Sequence, residues 1–126
     1  MFVVTRIFTG LVGGLSILLA LRFWLDTDVQ AAKVGLWNLS MAGHATVRAD
    51  LAGFFLVGGA ISLYAAIKGN AAYLWPNLLL VGAAITGRAL TLALNGSDAT
   101  SYPPMVAEAV IIGLLLYCQR TWPKNV

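Results

Sequence analysis

The chain has 126 residues, of which 60% are hydrophobic and only 10% charged, with a formal net charge of +3. A soluble domain carries about 25% charged residues. This chain has too few to cover a water-facing surface, so the composition points to an integral membrane protein of a single domain. The basic residues are scattered, which excludes a nucleic-acid-binding footprint. The single cysteine, Cys118, excludes an intrachain disulfide.

In chain order, the first feature is Arg6 followed by the apolar run Ile7 to Leu21, the outline of a secretory signal. The residues that follow, "RFWLDTDVQAAK", offer a poor small-residue cleavage site, so the segment is expected to stay as a first helix. A bilayer core takes about 20 mostly apolar residues in helix. Four stretches meet that need, at about 6–24, 48–67, 73–94 and 104–119. Trp75 marks an interface before the third, and Pro76 falls in its first turn, where the missing N–H costs little. Proline opens the fourth in "SYPPM", and Tyr102, Tyr117 and Trp122 are its interfacial anchors. The apolar runs are continuous and too long for strands. The expected fold is therefore all-α: an integral membrane four-helix bundle over residues 1–126, with a long outer loop between helices 1 and 2.

That connection, 22–47, contains "AAKVGLWNLS". Ala31, Val34, Leu36, Trp37 and Leu39 give it an apolar face suited to the headgroup region. Both a lid and a plain interfacial anchor fit it. Three spans share a short pattern: "LVGGLSILL" from Leu11, "LVGGAISLY" from Leu56 and "LVGAAITGR" from Leu80. Small residues at this density let helices approach closely, and Gly10 and Gly14 form a small-xxx-small pair. An old duplication would leave the same trace, as would biased composition alone.

Four spans put the two ends of the chain on one side, with Arg6, Lys68, Arg120 and Lys124. The other side carries Arg22, Lys33 and Arg48, offset by Asp26, Asp28, Asp50 and Asp98. The positive-inside rule then favours both termini in the cytoplasm.

Ionisable residues gather in one layer at the outer side. Arg88 lies about 9 Å inside the outer end of the third span at about 1.5 Å per residue. Glu108 lies about one turn into the fourth, and Arg48 and Asp50 open the second. His44 and Asp98 flank this layer from connecting segments. An isolated arginine in lipid costs a few kcal/mol or more, so Arg88 is expected to pair with Glu108 or Asp50, with Arg48 in the same network. Separate snorkelling of each charge and a purely structural network are the competing readings. There is one histidine and no Cys/His spacing for zinc or haem, so no metal or cofactor is expected. No phosphate-binding glycine loop or Ser-His-Asp set stands out. The inner half of the helices has no charge, which weakens a channel or transporter reading.

Three motifs, "VRADLAGFFLVGGAISLY", "GRALTLALNG" and "MVAEAVIIGLLL", make the chain similar to the small four-helix bacterial membrane proteins grouped as DoxX-like. It most resembles a subfamily described only as a domain of unknown function. The resemblance runs from Arg48 onward and maps onto Arg48, Asp50, Gly53, Gly87, Arg88, Asn95, Gly96 and Glu108. It implies a four-helix fold in a bacterial inner membrane, and it implies no reaction.

Two functions follow. In the first, the helices enclose a pocket in which Arg48 and Arg88, with His44 and Asn95, bind a lipid-like or hydrophobic small molecule. Phe54, Phe55, Leu90 and Met105 form its apolar walls, and Glu108 or Asp50 is the acid/base for isomerisation, hydration or hydrolysis. In the second, the chain is an accessory subunit, and its glycine-rich faces pack on a second copy or a partner membrane subunit.

Overall fold

A computed structural model describes residues 1–96, 99 and 102–124. The elements are α1 (Phe2–Leu25), α2 (Thr27–Lys33), α3 (Met41–Thr46), a π-helical turn (Val47–Leu51), α4 (Ala52–Lys68), a 3-10 turn (Ala71–Leu74), α5 (Trp75–Asn95) and α6 (Tyr102–Thr121). The described residues include no strand. Four helical runs, Phe2–Leu25, Met41–Lys68, Ala71–Asn95 and Tyr102–Thr121, are long and apolar enough to cross a membrane, the pattern of a multi-pass membrane protein. The second run starts about two turns before the expected boundary, because α3, the π-turn and α4 continue one another. His44 is thereby helical and not part of a loop.

The most extensive helix contact is α1 against α4, with α4 on α5, α5 on α6 and α6 on α1. Its cause is a crossing without side chains. A Cβ on Gly13 would stand 2.6 Å from the Gly59 carbonyl and 2.7 Å from the Leu63 nitrogen, and one on Gly59 would stand 2.6 Å from the Gly13 carbonyl. The expected Gly10/Gly14 pair is not what makes this approach. Gly10 has ordinary contacts, and Gly14 faces open space. The repeated "LVGG" motif is thus used at its first glycine in α1 and its second in α4.

The end at which α1 starts and α6 finishes is tied by hydrogen bonds. Gly69 takes the left-handed conformation (φ 64°) and closes α4. Arg6 Nε and Nη2 donate to the Ala66 and Ile67 carbonyls, both at 2.7 Å, satisfying orphan acceptors of the last turn of α4. Trp122 Nε1 donates to Thr5 Oγ1 at 2.8 Å, and Gln119 Nε2 donates to the Ala71 carbonyl at 2.7 Å. The Ala71 N–H donates to the Pro123 carbonyl at 3.0 Å. The interior of this half carries no charge, yet it is polar. Thr9 and Cys118 meet at 3.6 Å, and Asn77 Nδ2 donates to Ser62 Oγ, all four being buried. Short polar side chains of this kind join helices where no hydrophobic force does.

The segment between α1 and α3 packs on the helices. Ala31, Val34 and Leu39 join a cluster with Ala20, Phe23, Val47 and Ala52, while Leu36, Trp37 and Met41 are exposed. Ser40 caps α3 by accepting the Gly43 N–H at 3.0 Å.

Gly13→Ala is expected to lower unfolding stability in detergent by about 1–3 kcal/mol, because the backbones must separate. Gly14→Ala, with open space around it, should be neutral or stabilising by up to about 1 kcal/mol. Equal thermal shifts in the two variants would show that the close crossing does not hold the helices.

Candidate functional site

Helical spacing decides which charges can meet. On α5, Asn77, Val81 and Arg88 are separated by four and seven residues and share one face, and the first two are buried. On α6, Glu108, Leu115 and Gln119 recur at seven and four, and the last two are buried. These faces turn toward each other where α5 packs on α6. At the end remote from Arg6, Arg88 Nε donates to Glu108 Oε1 at 2.8 Å.

The pair is only half satisfied. The bond uses one guanidinium nitrogen, whereas the strongest arginine–carboxylate geometry is a two-pronged fork. The Arg88 terminal nitrogens bond no group among the described residues, and the side chain is 35% exposed. Glu108 is 15% exposed, and its Oε2 is shut from solvent with no hydrogen-bond partner among the described residues. A polar atom left this way in a low-dielectric interior costs about 1–3 kcal/mol.

Glu108 also lines a cavity of about 60 Å³, with Ser16, Phe54, Phe55, Gly58 and Asn77 among its walls. Phe55 is fixed by stacking on Phe23 (5.7 Å, 10°) and by the edge of Phe54 (5.2 Å, 89°). Gly58 leaves room for the Asn77 amide, since a Cβ there would lie 2.6 Å from Oδ1. The volume suits about two waters or the polar tip of a larger molecule, not a lipid tail. Leu90, expected in the wall, is 56% exposed and does not line the cavity, nor does Met105.

The other expected site residues do not join this pair. Arg48 Nε donates to Thr27 Oγ1 at 3.0 Å, and its carbonyl accepts from Trp24 Nε1 at 2.8 Å. It serves the junction of α1, α2 and the π-turn. A π-turn frees backbone acceptors and rotates the residues within it, so depth along the span did not predict direction around it. Asp50 lies in the same turn, exposed, with no ion pair among the described residues. His44 Nδ1 donates to the Ser40 carbonyl at 2.9 Å, and Nε2 meets Asp28 Oδ1 at 2.8 Å. Asn95 is exposed at the end of α5. Asp98 lies outside the described residues. No cluster of three metal-ligating side chains occurs among the described residues.

Sequence reasoning did not single out Ser16 or Asn77. Their signal was available: a polar residue in an apolar span, on the same helical face as a buried small residue or a charge. Glu108→Gln is expected to cost about 1–3 kcal/mol by leaving Arg88 without a counter-charge, less than the about 3–5 kcal/mol typical of a fully buried pair. Asp50→Asn should stay within about 0.5 kcal/mol. The reverse order in thermal unfolding would mean that Asp50, not Glu108, balances the charge.

The chain matches no protein-family model, no curated protein and no solved structure.

Proposed function

We propose that this is a bacterial inner-membrane protein, a four-helix transmembrane bundle with both termini in the cytoplasm. It binds a small lipid-like molecule through Arg88. The observation that carries the reading is the half-satisfied Arg88–Glu108 pair: a guanidinium whose terminal nitrogens bond no group among the described residues, beside a carboxylate that lines a cavity. Two terminal N–H groups in a fixed plane suit a carboxylate, phosphate or carbonyl oxygen. The head group sits on that fork with its polar tip toward the cavity, and the tail stays in the lipid between α5 and α6. Glu108, and not Asp50, is the acid/base group within reach of such a ligand, so isomerisation, hydration or hydrolysis would proceed through it. The resemblance to DoxX-like proteins agrees with the location, as does the placement of Arg6, Lys68, Arg120 and Lys124 at one end.

A second reading draws on a separate observation. Added Cβ atoms at Gly14, Gly82, Gly87 and Gly113 meet nothing within 4 Å, so small-residue surfaces remain unused inside the isolated chain. These suit an accessory or assembly subunit, or a homo-oligomer, in which Arg88–Glu108 is purely structural.

Arg88→Lys separates the two. Lysine keeps the charge and most of the reach but lacks the fork. Ligand binding predicts a folded, inserted protein that retains its co-purifying molecule at least about tenfold less well, the loss of one charge-assisted bond. Unchanged retention by Arg88→Lys favours the subunit reading. Topology has its own check: reporters joined to the carboxyl end and inserted after Gly96 should label the cytoplasm and the outside respectively. The opposite labelling would place the Arg88 site on the cytoplasmic face.

A further inference from the structure

The end of the molecule tied by Arg6 has a feature that the Arg88 site does not use. Three apolar grooves open there, two with an arginine in the wall and one with a lysine over the ring of a lining tyrosine. The first, about 360 Å³, runs along α1 and α4 between Val3, Ile7, Leu11 and Leu63, with Arg6 in its wall. The second, about 450 Å³, runs along α4 and α5 past Ile61, Tyr64, Tyr73 and Pro76. Lys68 Nζ stands 5.6 Å over the ring of Tyr64, one of its lining residues. The third, about 280 Å³, lies on α6 among Gly113, Leu116 and Tyr117, with Arg120 in its wall. The acidic side chains of the chain are Asp26, Asp28, Asp50, Asp98 and Glu108, and the sequence places none of them in these segments.

We infer that this rim binds anionic phospholipids, with an acyl chain in each groove and the lipid phosphate on Arg6, Lys68 or Arg120. The lengths agree. From Val3 to Leu11 α1 rises about 12 Å, most of the about 15 Å hydrocarbon depth of one leaflet. The charge agrees as well. Basic pockets between transmembrane helices hold anionic head groups, and among the described residues no carboxylate side chain pairs with these cations. Tyr64, Tyr73 and Tyr117 sit at the level where aromatic rings favour the interface. At Arg6, Nε and Nη2 are taken by the Ala66 and Ile67 carbonyls, so the phosphate meets the remaining Nη1. The inference needs the helices to lie in a membrane. It does not need a ligand at Arg88.

The test is native mass spectrometry of the full chain released from nanodiscs of equal parts phosphatidylglycerol and phosphatidylcholine. The expected result is preferential retention of phosphatidylglycerol. Lys68→Ala and Arg120→Ala each leave folding intact and lower that preference about fivefold, the worth of one cation near an anionic surface. Arg6→Lys is the conservative variant for the first groove, since Arg6 also caps α4. Equal retention of the two lipids by an inserted protein, or a preference untouched in the Lys68→Ala/Arg120→Ala double variant, overturns the inference. A chain that does not enter nanodiscs overturns it together with the membrane placement.

Discussion

Gly13 and Gly59 set how near two helices can lie, and the rest of the arrangement follows from that distance. With no Cβ between them, the α1 and α4 backbones meet directly. Their flanking residues then complete a close seam in which Thr9, Ser62, Ala65 and Ala20 are fully buried. In lipid no hydrophobic force draws helices together, so close van der Waals contact and short polar links must do it. The seam also determines where α5 can sit, because Gly58, next to the crossing, is the position that admits the Asn77 amide.

From this platform the chemistry of the other end becomes intelligible. Asn77 and Arg88 share a face of α5, and Glu108 shares a face of α6 with buried Leu115. Docking α5 through Asn77 therefore carries Arg88 to Glu108. The pair lies where phenylalanines from α4 wall the cavity, with few polar groups close by. A structural ion pair in such a place would gain most from a two-pronged contact with every oxygen bonded. Among the described residues this one uses a single nitrogen and leaves an oxygen without a partner, which suits a surface built to receive a further group.

Much of the fold was legible in the sequence, for a simple reason. Crossing a bilayer requires about 20 apolar residues in a row, and runs that long leave a trace that composition alone exposes. Boundaries were less legible: α3 and the π-turn start the second run ahead of Arg48, because Met41, Ala42 and Ala45 continue the helix through a stretch where Gly43, His44 and Thr46 weaken the hydropathy signal. The charged layer was half legible. Height above the span ends was readable from rise per residue, and it correctly set Arg88 level with Glu108. Direction around the helix was not readable for Arg48 and Asp50, since a π-turn breaks the 3.6-residue period on which such reasoning depends. The uncharged polar contacts, Asn77 with Ser62 and Trp122 with Thr5, were invisible to an argument that weighed only ionisable residues.

The two ends of the molecule divide the labour. One is closed by Arg6, Gln119 and Trp122, whose hydrogen bonds satisfy backbone and hydroxyl groups at the helix ends. The other keeps an arginine whose terminal donors bond no group among the described residues, and the function turns on what those donors bind. An experimental density map of the protein purified from its membrane measures this directly. The account predicts non-protein density within hydrogen-bond distance of the Arg88 terminal nitrogens, continuing between α5 and α6. Terminal nitrogens bonded wholly by protein groups, with the cavity beside Glu108 filled by side chains, would contradict it.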